Sequence, residues 1–405
     1  MLEPAEQPAQ VNAISTTTAT RLGFPRRHLR VAWLAPSLAR GWRWQAVFRE
    51  FTKLFPETVV FTNIWTGFTP GFERSFKVRR LRGTKVLNIG SNETGSARTL
   101  TWVSPLAVWQ LLRFRPEVIL TNGFHACTLY ALLVKMILRV RVILLWQGVS
   151  SETGGGKGSL RLAYRRLIAR FLDLVATNTQ DSVEYLERLV RTPPSKILHF
   201  TGEVADIETL RRTEHDRTAF RQLARPVFLF VGTPTRGKGV DKLLEAYRRL
   251  LQCGMGPSSL AIVGDGPESA DLRQFARDLR IDKRIRWEGF VPYEALGAYY
   301  ANCDVLVLPS LEDTWGVVVQ EAMAFGKAVL CSRYAGVREV VEHGINGFIF
   351  DARNPEELAD YMAQFIREPD LIEKCGMASR EISERHTPEV VAHRLACALA
   401  KALAC

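Results

Sequence analysis

Continuous apolar runs of strand length, each followed by a helix-length segment, recur along this chain in two separate series. The first runs through "LRVAWLAPS" (29–37), "ETVVFTN" (57–63), "PEVILTN" (116–122), "VRVILLWQG" (140–148), "DLVATN" (173–178) and "KILHFT" (196–201). A strand that is apolar at every position has both faces covered, and the helices between the strands supply the cover. The pattern therefore demands a parallel sheet with helices on either side. Helices are expected over 44–55, 104–115, 127–138, 160–172 and 181–190, and the basic stretch 66–95 admits a short strand. The charged segment 203–226 contains no strand and reads as a connection. A second series follows: "VFLFVG" (227–232), "LAIVGDG" (260–266), "IRWEGFV" (285–291), "DVLVLPS" (304–310), "AVLCS" (328–332) and "GFIF" (347–350). Its expected helices cover 239–251, 269–280, 293–301, 316–326 and a stretch near 336–342, then "NPEELADYMAQFI" and a terminal helix. With 405 residues, 47% of them hydrophobic, the chain has material for two such domains. The expected division is a disordered tail (1–25), an N-terminal domain (26–210), a C-terminal domain (211–386) and a C-terminal helix (387–405). Two doubly wound α/β units leave a cleft between them, and ligands in such sheets bind at the carboxyl ends of the strands.

The net charge of +12 is one-sided. Residues 1–210 hold 28 Lys and Arg against 15 Asp and Glu, and the remainder holds 26 against 27. A basic half points to a polyanionic partner: nucleic acid, an anionic membrane surface or a phosphorylated substrate. No helix-turn-helix, zinc or RNA-binding signature accompanies it, so nucleic acid is disfavoured. The helix "LRLAYRRLIARFL" (160–172) sets Leu160, Leu162, Ala163, Leu167 and Phe171 against Arg161, Arg165, Arg166 and Arg170. Such a helix either rests on an anionic membrane or is an ordinary amphipathic surface helix. The apolar run 128–146 is interrupted by Lys135, Arg139 and Arg141 and reads as a helix then a strand, not a span. Seven cysteines show no metal-ligand spacing and read as reduced thiols. No secretory leader is visible, so the expected location is cytoplasmic, with peripheral attachment at the inner face of a membrane where the basic half touches it.

Two turns carry chemistry. In "FVGTPTRGKGVDKLLEAY" (230–247), a strand ends at Gly232, and a glycine-rich turn with Lys238 and Gly239 leads into an amphipathic helix. Glycines let backbone N–H groups approach a phosphate, and Lys238 adds a point charge. The turn nearly matches a nucleotide-triphosphate loop, but Gly239 stands where Mg²⁺ needs Ser or Thr, and "GGGKGS" (154–159) departs in the same way. An NTPase is thus a rival reading. The second is "PSLEDTWGVVVQEAMAFGKAV" (309–329). Glu312 and Asp313 precede an apolar run and Glu321 follows it. Asp313 or Thr314 suits a cap on the helix beginning near Gly316. Glu321, enclosed by Val317, Val318 and Ala322, is costly to bury without a partner, which a ligand hydroxyl could supply.

Together "GTPTRGKG", "VGDGP", "GFVPYEALGAYYANCDVLVLPS", "DTWGVVVQEAMAFGKAV" and "AGVREVVEHGINGFIF" resemble, in order and spacing, the family 4 retaining glycosyltransferases. The resemblance is strong over 226–351 and weaker over 29–210. It implies the GT-B fold, two Rossmann-like domains facing a cleft, with the C-terminal helix crossing back to the N-terminal domain. It implies an enzyme that moves a hexose from a UDP- or GDP-sugar to a saccharide or lipid-linked acceptor in surface polysaccharide or glycolipid synthesis. A sugar-nucleotide epimerase of the same fold is a further rival.

The family's two acids enclose seven residues, the first lying three positions before a glycine. Gly316 selects Asp313 over Glu312 and makes Glu321 the second. Asp313, where the family usually has Glu, would contact a donor-sugar hydroxyl, and Glu321 the nucleotide ribose. Backbone N–H groups of Trp315, Gly316 and Val317 would hold the diphosphate or sugar. Lys238 matches the family's phosphate-binding lysine. The partner arginine's position is Thr233, a departure for which Arg236 is a substitute. Gly232 and Gly239 frame the turn, and the base would lie near Phe290 and Val291. On the N-terminal side, Gly41 stands for a family glycine loop. Gln147 replaces a family histidine at the sugar, and His125 is an alternative on the same cleft edge. No metal and no cofactor is expected.

Overall fold

The computed structural model describes residues 28–35, 37–38, 42–81, 85–91, 97–148, 159–200, 204–212, 220 and 222–404, with the backbone alone at 37, 42–43, 85–91, 97–102 and 404. The tail 1–25, Gly41 and the Gly-rich stretch 149–158 lie outside the described residues.

The strands of the first half are β1 (Val31–Leu34), β2 (Ser37–Leu38), β3 (Val59–Thr62), β4 (Ile64–Trp65), β5 (Lys77–Arg80), β6 (Lys85–Ser91), β7 (Ala97–Trp102), β8 (Val118–Asn122), β9 (Arg141–Trp146), β10 (Leu174–Thr177) and β11 (Ile197–His199). Seven of them form one parallel sheet in the order β11-β10-β9-β8-β1-β3-β5. The short β2–β4 pair and the antiparallel β6–β7 hairpin stand apart. The second half gives β12 (Val227–Val231), β13 (Ser259–Val263), β14 (Ile285–Gly289), β15 (Val305–Leu308), β16 (Ala328–Ser332) and β17 (Gly347–Phe350), ordered β14-β13-β12-β15-β16-β17. Counted within this domain the order is 3-2-1-4-5-6, the doubly wound arrangement.

The uninterrupted apolar runs have the predicted cause. Phe228 and Phe230 of β12 point into one core with Leu260, Ile262, Val305 and Val307. Val227, Leu229 and Val231 point into a second core on the other face, with Ala261, Leu306 and Leu308. The N-terminal sheet divides in the same way, Val31 and Trp33 against Ala32 and Leu34. Each fully buried large side chain contributes about 1.5–3 kcal/mol. The helix Pro388–Ala404 belongs to the N-terminal core: Val391, Ala392, Leu395 and Leu399 are buried with Val47, Phe48 and Phe51 of the helix Trp42–Leu54.

The structure differs from the sequence reading in several places. The basic stretch after residue 66 holds β5 and the start of a hairpin rather than one short strand. The expected helix 181–190 is an α-helical turn, Gln180–Glu184, continued by a π-helical segment, Tyr185–Val190. The stretch near 336–342 is a 3₁₀ helix, Gly336–Val340. The helix Pro369–Ser383, which the reading left out, opens on Pro369, a residue preorganised for a first helical turn. Within 203–226 lies a short helix, Ile207–Arg212.

Candidate functional site

A ligand crevice opens where strand order reverses, at the carboxyl ends of two adjacent strands that run to opposite sides. In the C-terminal sheet those strands are β12 and β15, and the two turns singled out in the sequence follow them. Their docking is a matter of backbone. Gly239 has φ +68, and a Cβ there would sit 1.9 Å from the Pro309 carbonyl oxygen, so only glycine allows the approach. Leu311 N–H donates to the Gly237 carbonyl at 3.1 Å, tying the second turn to the first. The result is an ion pair across the crevice: Lys238 Nζ lies 2.7 Å from Asp313 Oδ2.

Asp313 is held from three sides. Its N–H donates to the Tyr334 carbonyl at 3.2 Å, its own carbonyl accepts from Gly336 N–H at 3.0 Å, and its Oδ1 accepts from Trp315 N–H at 3.3 Å. The expectation that Asp313 or Thr314 caps a helix near Gly316 is overturned. The helix is Val318–Ala324, its N-cap is Val317, and no side chain caps it. Asp313 makes an Asx turn inside the loop instead. Glu312 makes no ion pair or hydrogen bond among the described residues.

Gly316 has φ +103, and a Cβ there would meet Leu308 Cδ2 at 2.6 Å and Val337 Cγ1 at 3.0 Å. The Gly316 and Val317 N–H groups make no protein hydrogen bond among the described residues, whereas Trp315 N–H is directed to Asp313. Two of the three expected backbone donors are thus available. Glu321 is 1% exposed, and its Oε2 accepts the Tyr300 hydroxyl at 2.5 Å. The reading of Glu321 as a solvated helix residue is excluded, and the Tyr300 phenol is one partner of the buried carboxylate. Burial first, and the Glu321 carboxylate second, push the Tyr300 phenol well above its usual range, so it stays a donor. The sequence reading missed Tyr300, which no motif singles out.

Thr233 and Arg236 are exposed on the first turn, and Arg236 N–H donates to Glu268 Oε2 at 2.9 Å. Gly232 (φ +149) ends β12, its N–H donating to the Val263 carbonyl. Phe290 is 78% exposed beside the half-buried Val291, at the end of β14. Ser310, fully buried at the end of β15, has a hydroxyl without a partner among the described residues.

The N-terminal sheet reverses between β1 and β8. His125 follows β8 as the N-cap of the helix Ala126–Leu138, its ring folded over Gly123. The ring is exposed to solvent on one side, and partial desolvation, then the Arg165 guanidinium, lower its pKa below the ordinary histidine value. Gln147 is exposed after β9. Arg165, expected on the solvent face of its helix, instead lies over the rings of Phe124, Trp146 and Tyr185 at 5.4–5.6 Å and donates to the Tyr185 hydroxyl at 2.7 Å. Phe124 and Trp146 are the sequence neighbours of His125 and Gln147, so this cation stands between the two candidates. Asn178, buried after β10, has a side-chain amide without a partner among the described residues.

The carboxyl ends of the two sheets meet. A Cβ on Gly336 would touch Thr179 Cγ2 at 2.8 Å, Arg338 Nη2 donates to both Asp181 oxygens at 2.8 and 3.0 Å, and Glu339 accepts from Gln180 N–H and pairs with His199 at 2.9 Å. Loop 313–315 is bonded to 334–337, so the Lys238–Asp313 pair is two loops from the N-terminal domain. No group of three or more His, Cys, Asp or Glu side chains able to hold a metal occurs among the described residues, and no helix there is long and apolar enough to cross a membrane.

Comparison with known proteins places these features. Residues 3–200 match the glycosyl transferase 4-like domain, and residues 211–382 match the glycosyl transferases group 1 family. D-inositol 3-phosphate glycosyltransferase 1 of Catenulispora acidiphila is 28% identical over 53% of this chain and 54% of its own length. The D-inositol 3-phosphate glycosyltransferase of Thermobifida fusca is 31% identical over 68% of this chain and 62% of its own. The chain spans about half the length of the first of these curated relatives. Among solved structures, HepE of Anabaena in complex with UDP superposes with a TM-score of 0.71 at 19% identity, covering 92% of this chain and all of HepE, which establishes the fold. The two family matches, one on each Rossmann-like domain, show that this chain belongs to the group 1 glycosyltransferases, with the GT-B fold.

Proposed function

We propose that the chain is a retaining glycosyltransferase that moves a hexose from a nucleotide-diphosphate sugar to a saccharide or lipid-linked acceptor. The observation that carries this reading is the Lys238–Asp313 pair at the strand-order reversal, beside the available Gly316 and Val317 N–H groups. That set pairs a cation and two amides, suited to a leaving diphosphate, with a carboxylate suited to a sugar hydroxyl. The two charges neutralise each other. The donor would part them, phosphate oxygens taking Lys238 and a sugar hydroxyl taking Asp313.

In this reading the Gly316 and Val317 amides and Lys238 stabilise charge on the departing phosphate, and no metal is assigned. The acceptor hydroxyl attacks the anomeric carbon on the face the diphosphate leaves. Its proton passes to the departing phosphate oxygen, and no protein nucleophile takes part. Glu321, oriented by Tyr300, is assigned to the ribose, and Phe290 with Val291 to the base. UDP is the favoured carrier because HepE has been crystallised with UDP and with UDP-glucose.

A lipid-linked acceptor is supported by the N-terminal surface. Trp109, Met136 (80% exposed), Ile137, Leu160 (85% exposed), Leu167 and Phe171 are exposed on three helices that also carry Arg113, Arg139, Arg161 and Arg170. Of the two readings of the helix 160–172, exposure of Leu160, Leu167 and Phe171 favours the one in which its apolar face rests on a membrane. Apolar side chains amid arginines suit an anionic bilayer surface.

The test is thermal stabilisation by UDP, GDP and ADP, followed by transfer from the sugar nucleotide whose base binds. Stabilisation by UDP or GDP that Lys238→Ala removes supports the reading. Equal stabilisation by ADP, or a response that survives Lys238→Ala, overturns it.

A further inference from the structure

The chain crosses between its two domains twice, through the linker with the helix Ile207–Arg212 and through 384–387 into the last helix. Both crossings line one cavity with Ala301 and Lys327, which lead into β15 and β16. The covalent tethers therefore lie at the amino ends of the C-terminal strands. At the carboxyl ends, where the candidate site is, a pair of domains hinged in this way is free to gape unless side chains hold it together. One short turn, the 3₁₀ helix Gly336–Val340, meets both domains there.

On one flank this turn is tied to the donor loop. Gly336 N–H donates to the Asp313 carbonyl at 3.0 Å, and Val337 N–H donates to the Trp315 carbonyl at 2.8 Å. On the other flank it grips the N-terminal domain. Arg338 Nη2 reaches both oxygens of Asp181, and both side chains are half-buried. Glu339 takes the N–H of Gln180, the first residue of the helix Gln180–Glu184 and a donor that its own helix leaves unpaired. The second Glu339 oxygen meets His199. Gly336 is wedged between the flanks: a Cβ there would stand 2.4 Å from the Thr314 carbonyl oxygen and 2.8 Å from Thr179 Cγ2. Residues 179–182 are pressed in turn on the loop after β9, since a Cβ on Gly148, the neighbour of Gln147, would meet Ser182 Oγ at 1.9 Å. Donor loop, 3₁₀ turn, helix start and Gln147 loop form one packed series.

We propose that Arg338 and Glu339 are positioning residues that clasp the N-terminal domain to the donor loop, and so set His125 and Gln147 over a sugar held at Asp313. Both grips are charge-assisted hydrogen bonds, the stronger kind, and both fall on the same short helix of the N-terminal domain. The clasp stands on the geometry of the two domains; its bearing on the sugar rests on the glycosyltransferase reading. The groups assigned to the diphosphate, Lys238 and the Gly316 and Val317 amides, all belong to the C-terminal domain. Loosening the clasp therefore leaves nucleotide binding alone and removes what the sugar gains from the second crevice.

The test is hydrogen exchange of the full chain, read at the Gln180 amide, with calorimetric titration of UDP and of UDP-glucose beside it. Arg338→Asp turns the attraction to Asp181 into repulsion and should speed exchange at Gln180 about tenfold. The Gly336 and Val337 amides, bonded within the C-terminal domain, should keep their protection, which separates an opened clasp from an unfolded turn. Adding Asp181→Arg to Arg338→Asp should restore slow exchange. Unchanged exchange in Arg338→Asp, or a double variant as fast as the single one, overturns the clasp. If Arg338→Asp also exposes Gly336 and Val337, Glu339→Gln decides in its place, and unchanged exchange at Gln180 in that variant overturns the clasp. For positioning, Arg338→Asp should leave UDP affinity within about twofold and weaken UDP-glucose about fivefold or more, with recovery in the double variant. Equal changes for UDP and UDP-glucose overturn this part. A wild-type protein that binds neither nucleotide, but whose Gln180 exchange follows the charges at 338 and 181, fails the donor reading and leaves the clasp standing.

Discussion

The two crevices of this molecule sit at equivalent points of two similar sheets and are furnished differently. At the β12/β15 reversal, cation and carboxylate meet at 2.7 Å, and glycines remove every Cβ that would keep the two turns apart. At the β1/β8 reversal the candidates are a neutral imidazole and an amide, and the nearby cation is stacked on three rings. A crevice with paired charge is kept neutral when empty and can be opened by a dianion. A crevice of neutral donors and acceptors suits hydroxyl groups. On the proposed function, the first crevice takes the diphosphate and the sugar hydroxyl at Asp313, and the second takes other hydroxyl groups.

That assignment breaks most readily at Lys238. Lys238→Ala is expected to lower kcat/KM about 100-fold, or about 2.7 kcal/mol, and to remove most UDP affinity, as measured by steady-state kinetics and calorimetry. His125→Ala and Gln147→Ala should leave UDP affinity within about twofold while raising the acceptor KM. If either N-terminal substitution weakens UDP as much as Lys238→Ala does, the division between the crevices is wrong. Asp313→Ala sharpens the same point. It frees Lys238, so UDP affinity should hold or rise while turnover falls about tenfold or more. Loss of UDP affinity in Asp313→Ala would mean that the carboxylate positions the lysine instead of competing with the phosphate.

The next effect is structural. Gly239→Ala forces a Cβ against the Pro309 carbonyl at a left-handed φ and should cost about 2 kcal/mol or more, seen as a lower Tm, with UDP affinity falling in step. Gly254→Ala also carries φ +64 but has open space around it, and should cost about 1 kcal/mol. Equal losses at the two sites would show that strain alone, and not the docking of the turns, decides stability there. Tyr300→Phe should cost about 1–3 kcal/mol by leaving the Glu321 carboxylate buried without its phenolic donor, measured by denaturant unfolding.

The same contrast explains what could be read in advance. The strands of the C-terminal sheet were legible because both faces are buried and every position is apolar. The turns were legible because the close approaches at Gly239 and Gly316 admit no other residue. Family spacing selected Asp313 over Glu312, and the ion pair with Lys238 involves Asp313. What sequence could not carry was pairing through space. Nothing local marks Tyr300 as the partner of Glu321, since they lie on separate helices with a strand between them. Arg165 looked like a surface arginine because its three rings come from separate segments. The helix Pro369–Ser383 went unread, although its apolar face is as well marked as that of the terminal helix that was read.

The smallest expected effect lies where the two sets of strand ends touch. His199 donates toward Glu339 across the domain junction, and that hydrogen bond, against some desolvation, raises its pKa. The Glu339 charge and a hydrogen bond with the Asn178 backbone add to the rise, and Arg394 opposes it. The Arg338–Asp181 pair lies beside it. A raised pKa in the joined state means that the contact is fully present below the ordinary histidine value, about 6.5, and is lost as pH rises through the shifted one. The His199 side chain is 41% exposed, so solvent screening holds the effect to about 0.5 kcal/mol. His386, held down to about 4 chiefly by burial, acts with the opposite sign as pH falls below about 6.5, so wild type and His199→Gln must be compared as a difference. Between about pH 6 and pH 8 that difference in Tm should shrink as pH rises. A constant difference would mean that His199 is merely packed at the junction, and that the contact between the strand ends does not respond to pH.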